Sequence, residues 1–224
     1  TDSDSRWKWG ASTALALDAE RDVTIDALLL DGRSTPTARQ LAEVGVTPAS
    51  MRVVSTHEAG AIIAAERPDV VVAALSGGSV FVLLHVLASR FGGDPGLAAR
   101  RPVIVSGYVG VVYEKLVEGL LLRVGSDVIL ANSAADRDRF ADALTAVGAD
   151  PAAIVETSLP YLRHEPYVRD PERPYTVTFA TQPSVPRHRD ERLALARSLV
   201  THAERHPERH VIVKMRSKPG EHTT

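Results

Sequence analysis

The feature that most constrains the fold is a regular alternation of short β-branched runs with helical patterns along the 224 residues. Runs such as 70–75 and 128–131 are each followed by a stretch with apolar residues at helical spacing. Alternating strands and helices build βαβ units, in which the strands run parallel. Because 44% of the residues are hydrophobic, such a sheet has enough material for a packed core. The sequence predicts an α/β protein with a Rossmann-like parallel sheet flanked by helices.

Turn and capping residues set the limits of the individual elements. The predicted strands are 23–30, 51–55, 70–75, 103–106, 128–131, 154–155, 175–180 and 211–215. The predicted helices are 5–20, 35–45, 56–67, 80–91, 116–124, 134–147 and 189–205. Ser55 and Glu58 form a capping-box pattern, and Ser133 is an N-cap residue. The strand at 70–75 is apolar throughout and is expected to be buried on both faces, and the helix at 80–91, with His85, is expected in the core.

Composition changes over 161–174, where prolines and charged residues alternate. This is linker composition and predicts an N-terminal Rossmann-like domain over 1–160 and the start of a second one over 175–224. The chain opens in a loop-like segment that leads directly into a helix, so we expect the first domain to lack its first strand. The second domain is expected to be truncated, and the chain alone to be inactive.

Bulk properties exclude several classes of function. A net charge of −2 gives no basic footprint for nucleic acid. The absence of cysteine excludes disulfides, thiolate zinc sites and cysteine nucleophiles. No apolar run is long enough for a membrane span, and no signal segment opens the chain, so we expect a cytoplasmic protein. The histidine spacing indicates no metal site.

Two glycine-containing loops follow predicted strands, at the sheet edge where parallel sheets bind ligands. Ser76, Gly77 and Gly78 precede an apolar helix, whose free amides can hold a phosphate, a carboxylate or a sugar hydroxyl. The second loop runs from Gly107 to Gly110 and contains a tyrosine, Tyr108, that could stack on a sugar. The alternative in both cases is a tight turn that requires glycine.

Asp2 and Asp4 stand beside the start of the first helix, where a carboxylate can accept a proton or attack a phosphate. The pattern also fits phosphatases with an aspartyl nucleophile. Those enzymes need further acidic metal ligands after a late strand, and here Glu221 is the one acid in that segment. A helix start with dipole-matching acids is the remaining alternative.

The second domain offers two polar loops that suit a diphosphate. One follows the strand at 175–180 and precedes a helix, and the other follows the strand at 211–215. Their candidate ligand-binding residues are Thr181, Gln182 and Ser184 in the first loop, and Lys214, Arg216, Lys218 and His222 in the second. Ordinary connecting loops are the alternative reading of both.

Four segments together resemble a bacterial family of inferred glycosyltransferases, a domain family of unknown function with GT-B architecture. They are the Asp-Ser-Asp-Ser opening with Trp9-Gly10, and the stretches 126–133, 179–186 and 213–222. The resemblance covers essentially the whole chain.

The resemblance implies sugar transfer from a nucleotide-activated donor to a carbohydrate or cell-envelope acceptor, with no metal and no other cofactor. It implies that the first domain holds the acceptor and that the second holds the donor. Asp4, with Asp2 as the alternative, is the expected catalytic base. Facing the acceptor would be Ser76, Gly77, Gly78, Gly107, Tyr108 and Gly110, and facing the donor would be Thr181, Gln182, Ser184, Lys214, Arg216, Lys218 and His222.

Three rival functions stay open. A sugar-nucleotide epimerase or a glycerophosphotransferase-like enzyme has the same architecture. A non-catalytic module would bind a sugar or nucleotide and release no product. A phosphatase would need magnesium and Asp2.

Overall fold

The computed structural model describes residues 1–93, 95–110, 115–162, 166, 168–181 and 186–214. The chain divides into two compact units, Thr1–Arg163 and His164–Thr224. In each unit all paired strands of the described residues run parallel, which confirms the predicted α/β class.

The strands of the first unit form two parallel sheets. Their order is β1-β2 in one sheet and β3-β4-β5-β6 in the other. The strands are β1 Asp26–Leu30, β2 Ser50–Val54, β3 Val70–Val72, β4 Val103–Gly107, β5 Val128–Ala131 and β6 Ile154–Glu156. Four of the six match their predicted ranges to within one residue, because Gly, Asp and Ser at their ends mark the turns in the sequence.

Helices connect successive strands of this unit. They are α1 Asp4–Glu20, α2 Ala38–Ala42, α3 Thr56–Glu66, α4 Gly77–Phe91, α5 Pro95–Ala98, α6 Leu116–Leu121 and α7 Ala134–Ala146. The predicted capping box of Ser55 and Glu58 is confirmed at α3, and Ser133 accepts from the Asp136 amide at the start of α7. A second capping box, of Thr37 and Gln40, starts α2 and was not predicted.

Several sequence predictions differ from the structure in extent or in burial. The strand predicted at 70–75 ends at Val72, and Val70 is 41% exposed rather than buried on both faces. The helix predicted over 35–45 is reduced to α2. The helix at 80–91 is not buried all round, because α4 packs one side on the sheet and leaves Phe81 and His85 exposed. His85 is therefore a surface residue, bound to the Phe81 carbonyl.

Three apolar clusters form the core of the first unit. The largest joins α3 and α4 to β3 and β4, and includes Leu83, Leu87 and Phe91. The second packs α6 and α7 on β5. The third packs Trp7 and Ala11 of α1 against β1 and the segment that follows α2.

Residues Thr1 and Asp2 make contacts to both sheets. The Thr1 amine donates to the Leu28 carbonyl at 2.7 Å, and the Leu30 amide donates to the Thr1 carbonyl at 2.7 Å. Asp2 accepts a hydrogen bond from the Ser76 amide, just after β3. The opening residues therefore connect the end of β1 to the start of α4.

The second unit contains one parallel β-α-β unit. Strand β7 (Thr176–Ala180) pairs with β8 (His210–Lys214), and α8 (Arg189–Arg205) connects them. An apolar groove of about 500 Å³ lies between α8 and the strands. None of the described residues of this unit is fully buried. Within the described ranges of the whole chain, no helix has the length and apolar character that crossing a membrane requires.

Candidate functional site

The first candidate site lies at the carboxyl ends of β3 and β4, where the N-termini of α1 and α4 meet. Asp2 is its centre. One oxygen of Asp2 accepts from the Ser76 amide at 2.9 Å and from the Ser79 hydroxyl at 3.3 Å, and the other accepts from Arg6 at 2.8 Å. The side chain of Asp2 is only 14% exposed. The amide group that the sequence offered to a ligand is thus occupied by a carboxylate of this chain.

These contacts control the charge of Asp2. Burial on its own would raise the pKa of Asp2, but the hydrogen bonds from Ser76 and Arg6 and the positive charge of Arg6 outweigh burial. The pKa of Asp2 therefore lies below its ordinary value, and the carboxylate is held ionised. A group of this kind anchors cations and amides better than it accepts a proton.

Asp4, the first residue of α1, has a different environment. Its Oδ2 pairs with Lys8 at 3.3 Å, and Lys8 also reaches Glu43 at 3.3 Å. The Oδ1 atom of Asp4 is shielded from solvent, and it has no hydrogen-bond partner among the residues that the structure describes. A buried carboxylate oxygen without a donor carries an energetic cost, and the Asp4 side chain as a whole is 32% exposed.

The loop at the start of α4 has one closed and one open side. Ser76 is the N-cap and accepts from the Ser79 amide. A Cβ atom at Gly77 would lie 3.0 Å from Leu122 and 3.3 Å from Arg123, so Gly77 is packed against that segment. Gly78 has nothing within 4 Å of the same position. Of the two glycines, Gly78 is the one that leaves space for a ligand.

The loop after β4 is packed inside the unit at its beginning and open at its end. A Cβ atom at Gly107 would lie 2.7 Å from the Trp9 ring, so Gly107 is required for packing. Tyr108 is buried, its hydroxyl donates to the Leu116 carbonyl at 3.0 Å, and Phe140 packs on its ring. Among the described residues, none lies within 4 Å of a Cβ atom placed at Gly110. The stacking surface predicted for Tyr108 is therefore taken up by other residues of the chain.

Arg123 is the residue of this site that sequence reasoning missed. It is 5% exposed, and its guanidinium lies 4.3 Å from the centre of the Tyr108 ring. It donates to the carbonyls of Gly107, Gly119 and Leu75 at 3.1, 2.6 and 3.5 Å. Burial lowers its pKa, and within the described parts of the chain no carboxylate forms an ion pair with it. The signal in the sequence was one arginine within an otherwise apolar run, Leu120 to Val124.

Asn132 holds the 107–110 loop in place from β5. Its amide nitrogen donates to the Tyr108 carbonyl at 3.0 Å and to the Gly110 carbonyl at 3.2 Å. Tyr161 donates to the Val109 carbonyl from the other end of the unit. Asn132 therefore fixes this loop.

The second candidate site, at the ends of β7 and β8, is described only in part. The amide and hydroxyl of Thr181 donate to the Lys214 carbonyl at 3.0 and 3.2 Å, and Lys214 is exposed. The other residues expected there lie outside the described residues: Gln182, Ser184, Arg216, Lys218 and His222. In the described part of the chain, no three His, Asp or Glu side chains come together as a metal site would require.

The fold and the polar carboxyl ends of its strands define a Rossmann-like α/β protein, the architecture in which ligands bind beyond strand ends. A family model described as "Putative glycosyltransferase (DUF6716)" matches residues 1–224, and the chain belongs to this family.

A solved structure from Listeria monocytogenes, titled as a putative UDP-N-acetylglucosamine 2-epimerase, has the same fold, with a TM-score of 0.58 and 16% identity. The alignment covers 98% of this chain and 62% of the Listeria chain, so this chain spans under two thirds of that length. None of the curated proteins matches.

Proposed function

We propose that the protein transfers a sugar from a nucleotide-activated donor to a hydroxyl of a carbohydrate or cell-envelope acceptor. The observation that carries the proposal is the pair of carboxylates at the carboxyl edge of the first unit, in a chain of this family. Asp2 is committed to Ser76 and Arg6, whereas Asp4 keeps an oxygen without a partner among the described residues. Two carboxylates in different environments take different roles.

Asp4 acts as the general base in this proposal. The side chain of Asp4 is 32% exposed, so an acceptor hydroxyl can approach its carboxylate, and the hydroxyl proton passes to Asp4 as the oxygen attacks the anomeric carbon. Lys8, on Oδ2, fixes the orientation of the carboxylate. The bond from the anomeric carbon to the donor phosphate breaks, and the nucleotide leaves with that electron pair.

Asp2 has a supporting role. Its hydrogen bond to the Ser76 amide places the start of α4, and Gly78 is the second residue of that helix. The acceptor binds over Gly78 and Gly110, the two glycines of these loops that have no neighbour within 4 Å of a Cβ position among the described residues. Tyr108 and Gly107 support the loop from inside.

The second unit binds the donor diphosphate through its basic strand end. This part of the proposal rests on the sequence, in which Lys214, Arg216 and Lys218 occupy every second position at the end of a strand. Fixed cations stabilise the negative charge that develops on a leaving phosphate, so no metal is required. Lys214→Ala in the intact protein should lower turnover strongly and leave the fold unchanged.

The main test is the Asp4→Asn variant of the intact protein, assayed with a panel of nucleotide sugars and acceptors. Loss of a general base should lower kcat by roughly 10²- to 10⁴-fold. Glu20→Gln is the matched control, because Glu20 is an exposed carboxylate in the same helix. Full activity of Asp4→Asn would remove Asp4 from the mechanism. Absence of nucleotide release with every donor and acceptor would contradict sugar transfer itself.

A second candidate is a sugar-nucleotide epimerase, favoured by the fold shared with the Listeria protein. An epimerase changes its sugar nucleotide without any acceptor. Incubation with single sugar nucleotides therefore separates the two: a new sugar isomer without acceptor supports the epimerase, and product that forms only with acceptor supports the transferase.

A further inference from the structure

Arg123 is a buried cation whose role the proposed reaction leaves unassigned. It holds three carbonyl oxygens at the carboxyl ends of β3 and β4 and in α6. Taking a guanidinium out of water is unfavourable unless its donors are satisfied. We propose that Arg123 is a positioning residue for the Asp2 carboxylate, acting through the peptide group that joins Leu75 to Ser76.

The geometry rests on one peptide group with two contacts. Its carbonyl, on Leu75, accepts from Arg123 at 3.5 Å, and its amide, on Ser76, donates to Asp2 at 2.9 Å. A hydrogen bond to the oxygen of a peptide polarises the amide on the other side, so the two contacts strengthen each other. Arg123 thereby orients the donor that holds Asp2.

The other two contacts of Arg123 fix its own position. Nε donates to the Gly107 carbonyl and Nη1 to the Gly119 carbonyl, while Tyr108 lies under the guanidinium plane. The guanidinium of arginine carries several N–H donors in one plane, and these reach three carbonyl acceptors in different directions. The ammonium of lysine lacks this arrangement. A neutral side chain or an ammonium group at this position would leave some of these carbonyls without donors.

The charged and polar groups around Asp2 come from three elements. Arg6 from α1 and the hydroxyl of Ser79 from α4 contact it directly. Arg123, from the segment after α6, donates to the Leu75 carbonyl on the other side of the peptide group that Asp2 contacts. Removal of Arg123 should therefore weaken the hold on the ionised form of Asp2, even though Arg6 remains.

The first test uses the intact protein at neutral pH and follows the Nη–H signals of the Arg123 guanidinium, one of which donates to the Leu75 carbonyl, by nitrogen-15 NMR. In Asp2→Asn, which keeps the shape of the side chain and removes its charge, these signals should shift and Ser76 amide exchange should accelerate. Asp4→Asn is the control and should leave both unchanged. If Asp2→Asn changes neither the signals nor the exchange, the proposed connection is wrong.

The second test measures the titration of the Asp2 carboxyl carbon in wild type, Arg123→Lys and Arg123→Gln. The pKa of Asp2 should rise in Arg123→Gln and rise less in Arg123→Lys, which keeps the positive charge. A purely structural role would leave the titration of Asp2 in the folded variants where it is in wild type, and that result overturns the proposal. If Arg123→Gln does not fold, the comparison of Arg123→Lys with wild type decides by the same criterion.

The kinetic consequence rests on the proposed function, whereas the two NMR tests do not. If Asp2 and Arg123 are coupled, Arg123→Lys should lower kcat about tenfold with little change in KM, because acceptor orientation rather than affinity is lost. Coupling by NMR in a protein that transfers no sugar would leave this inference standing and reject the proposed function. Sugar transfer by a protein that shows no such coupling would support the proposed function and reject this inference.

Discussion

The ends of two parallel strand pairs, β3–β4 in the first unit and β7–β8 in the second, differ in what reaches them. At β3–β4, side chains from α1, from β5 and from the segment after α6 converge, and Asp2, Asn132 and Arg123 each bind backbone groups there. At β7–β8, the contact that the structure describes is between the neighbours Thr181 and Lys214.

This difference shows how the polar backbone groups at a strand end obtain hydrogen-bond partners. Backbone groups at strand ends are polar and need partners, and distant elements supply them in the first unit. In the second unit the described side chains are at most half-buried, so polar groups there are available to solvent and to ligands. Substitutions at these strand ends in the first unit should therefore mainly lower the free energy of unfolding. Substitutions at the strand ends of the second unit should mainly lower the affinity for a ligand.

The largest effect is expected from Trp9→Ala, compared with Leu195→Ala in α8. Trp9 is 1% exposed and packs against Gly107, so its loss should cost about 3–5 kcal/mol of unfolding free energy. Leu195 lines an open groove and is half-buried, so its loss should cost about 1–2 kcal/mol. Urea unfolding, read by Trp7 fluorescence for the first unit and by hydrogen exchange of α8 for the second, measures both. Equal losses would remove the contrast between the units.

A smaller effect is expected from Gly107→Ala, with Gly110→Ala as its control. The added methyl at Gly107 would meet the Trp9 ring at 2.7 Å and the Leu130 carbonyl at 3.1 Å, so we expect a loss of about 1–3 kcal/mol. The same methyl at Gly110 has none of the described residues within 4 Å and should change stability by less than about 0.5 kcal/mol. Thermal unfolding of both variants tests the packing, and a stable Gly107→Ala would contradict it.

Asp2→Ala should cost about 1–2 kcal/mol near neutral pH, because the Ser76 amide and Arg6 lose their acceptor. The pKa of Asp2 is lower in the folded protein than its ordinary value. The contribution of Asp2 is therefore complete above an unfolded pKa of about 3.9 and is lost as the pH falls through the folded pKa. Unfolding free energies of wild type and variant should converge below about pH 4. A constant difference down to lower pH would show that ionisation of Asp2 does not matter.

The smallest effect on stability is expected from Lys214→Ala. Thr181 binds the Lys214 backbone carbonyl, which the substitution keeps, and the side chain is exposed. Stability should change by less than about 0.5 kcal/mol, while affinity for a nucleoside diphosphate should fall. Isothermal titration calorimetry of the intact protein measures the second quantity. A variant that unfolds, or one that binds as wild type does, would contradict this division of roles.

The local elements were predictable because their signals are local. Apolar β-branched runs and the caps at Ser55 and Ser133 depend on neighbours in sequence, and they give β4, β5, α3 and α7 nearly to the residue. Exposure was not predictable in the same way. The apolar run of α4 gives no indication that Phe81 would face away from the sheet.

The candidate site was predictable only in its outline. The sequence indicated Asp2, Asp4 and the loop at Ser76 as separate features, but not that Asp2 accepts from the amide of Ser76, the N-cap of α4, 74 residues further on. Gly107 and Tyr108 were expected to meet a ligand, and they instead pack against Trp9 and Phe140. The expected roles of the residues after Lys214 stay predictions.

The sequence by itself determined the parallel α/β class, the order of strands and helices, and the strand ends at which polar groups would collect, because these follow from periodicity and turn chemistry along the chain. Tertiary structure decided which of those groups are free. Long-range contacts bring Asp2 and Arg123 to opposite sides of one peptide group, commit both to this chain, and leave an oxygen of Asp4 without a partner among the described residues. The physical reason is that a buried polar group must find a partner, and the fold alone decides which one is within reach.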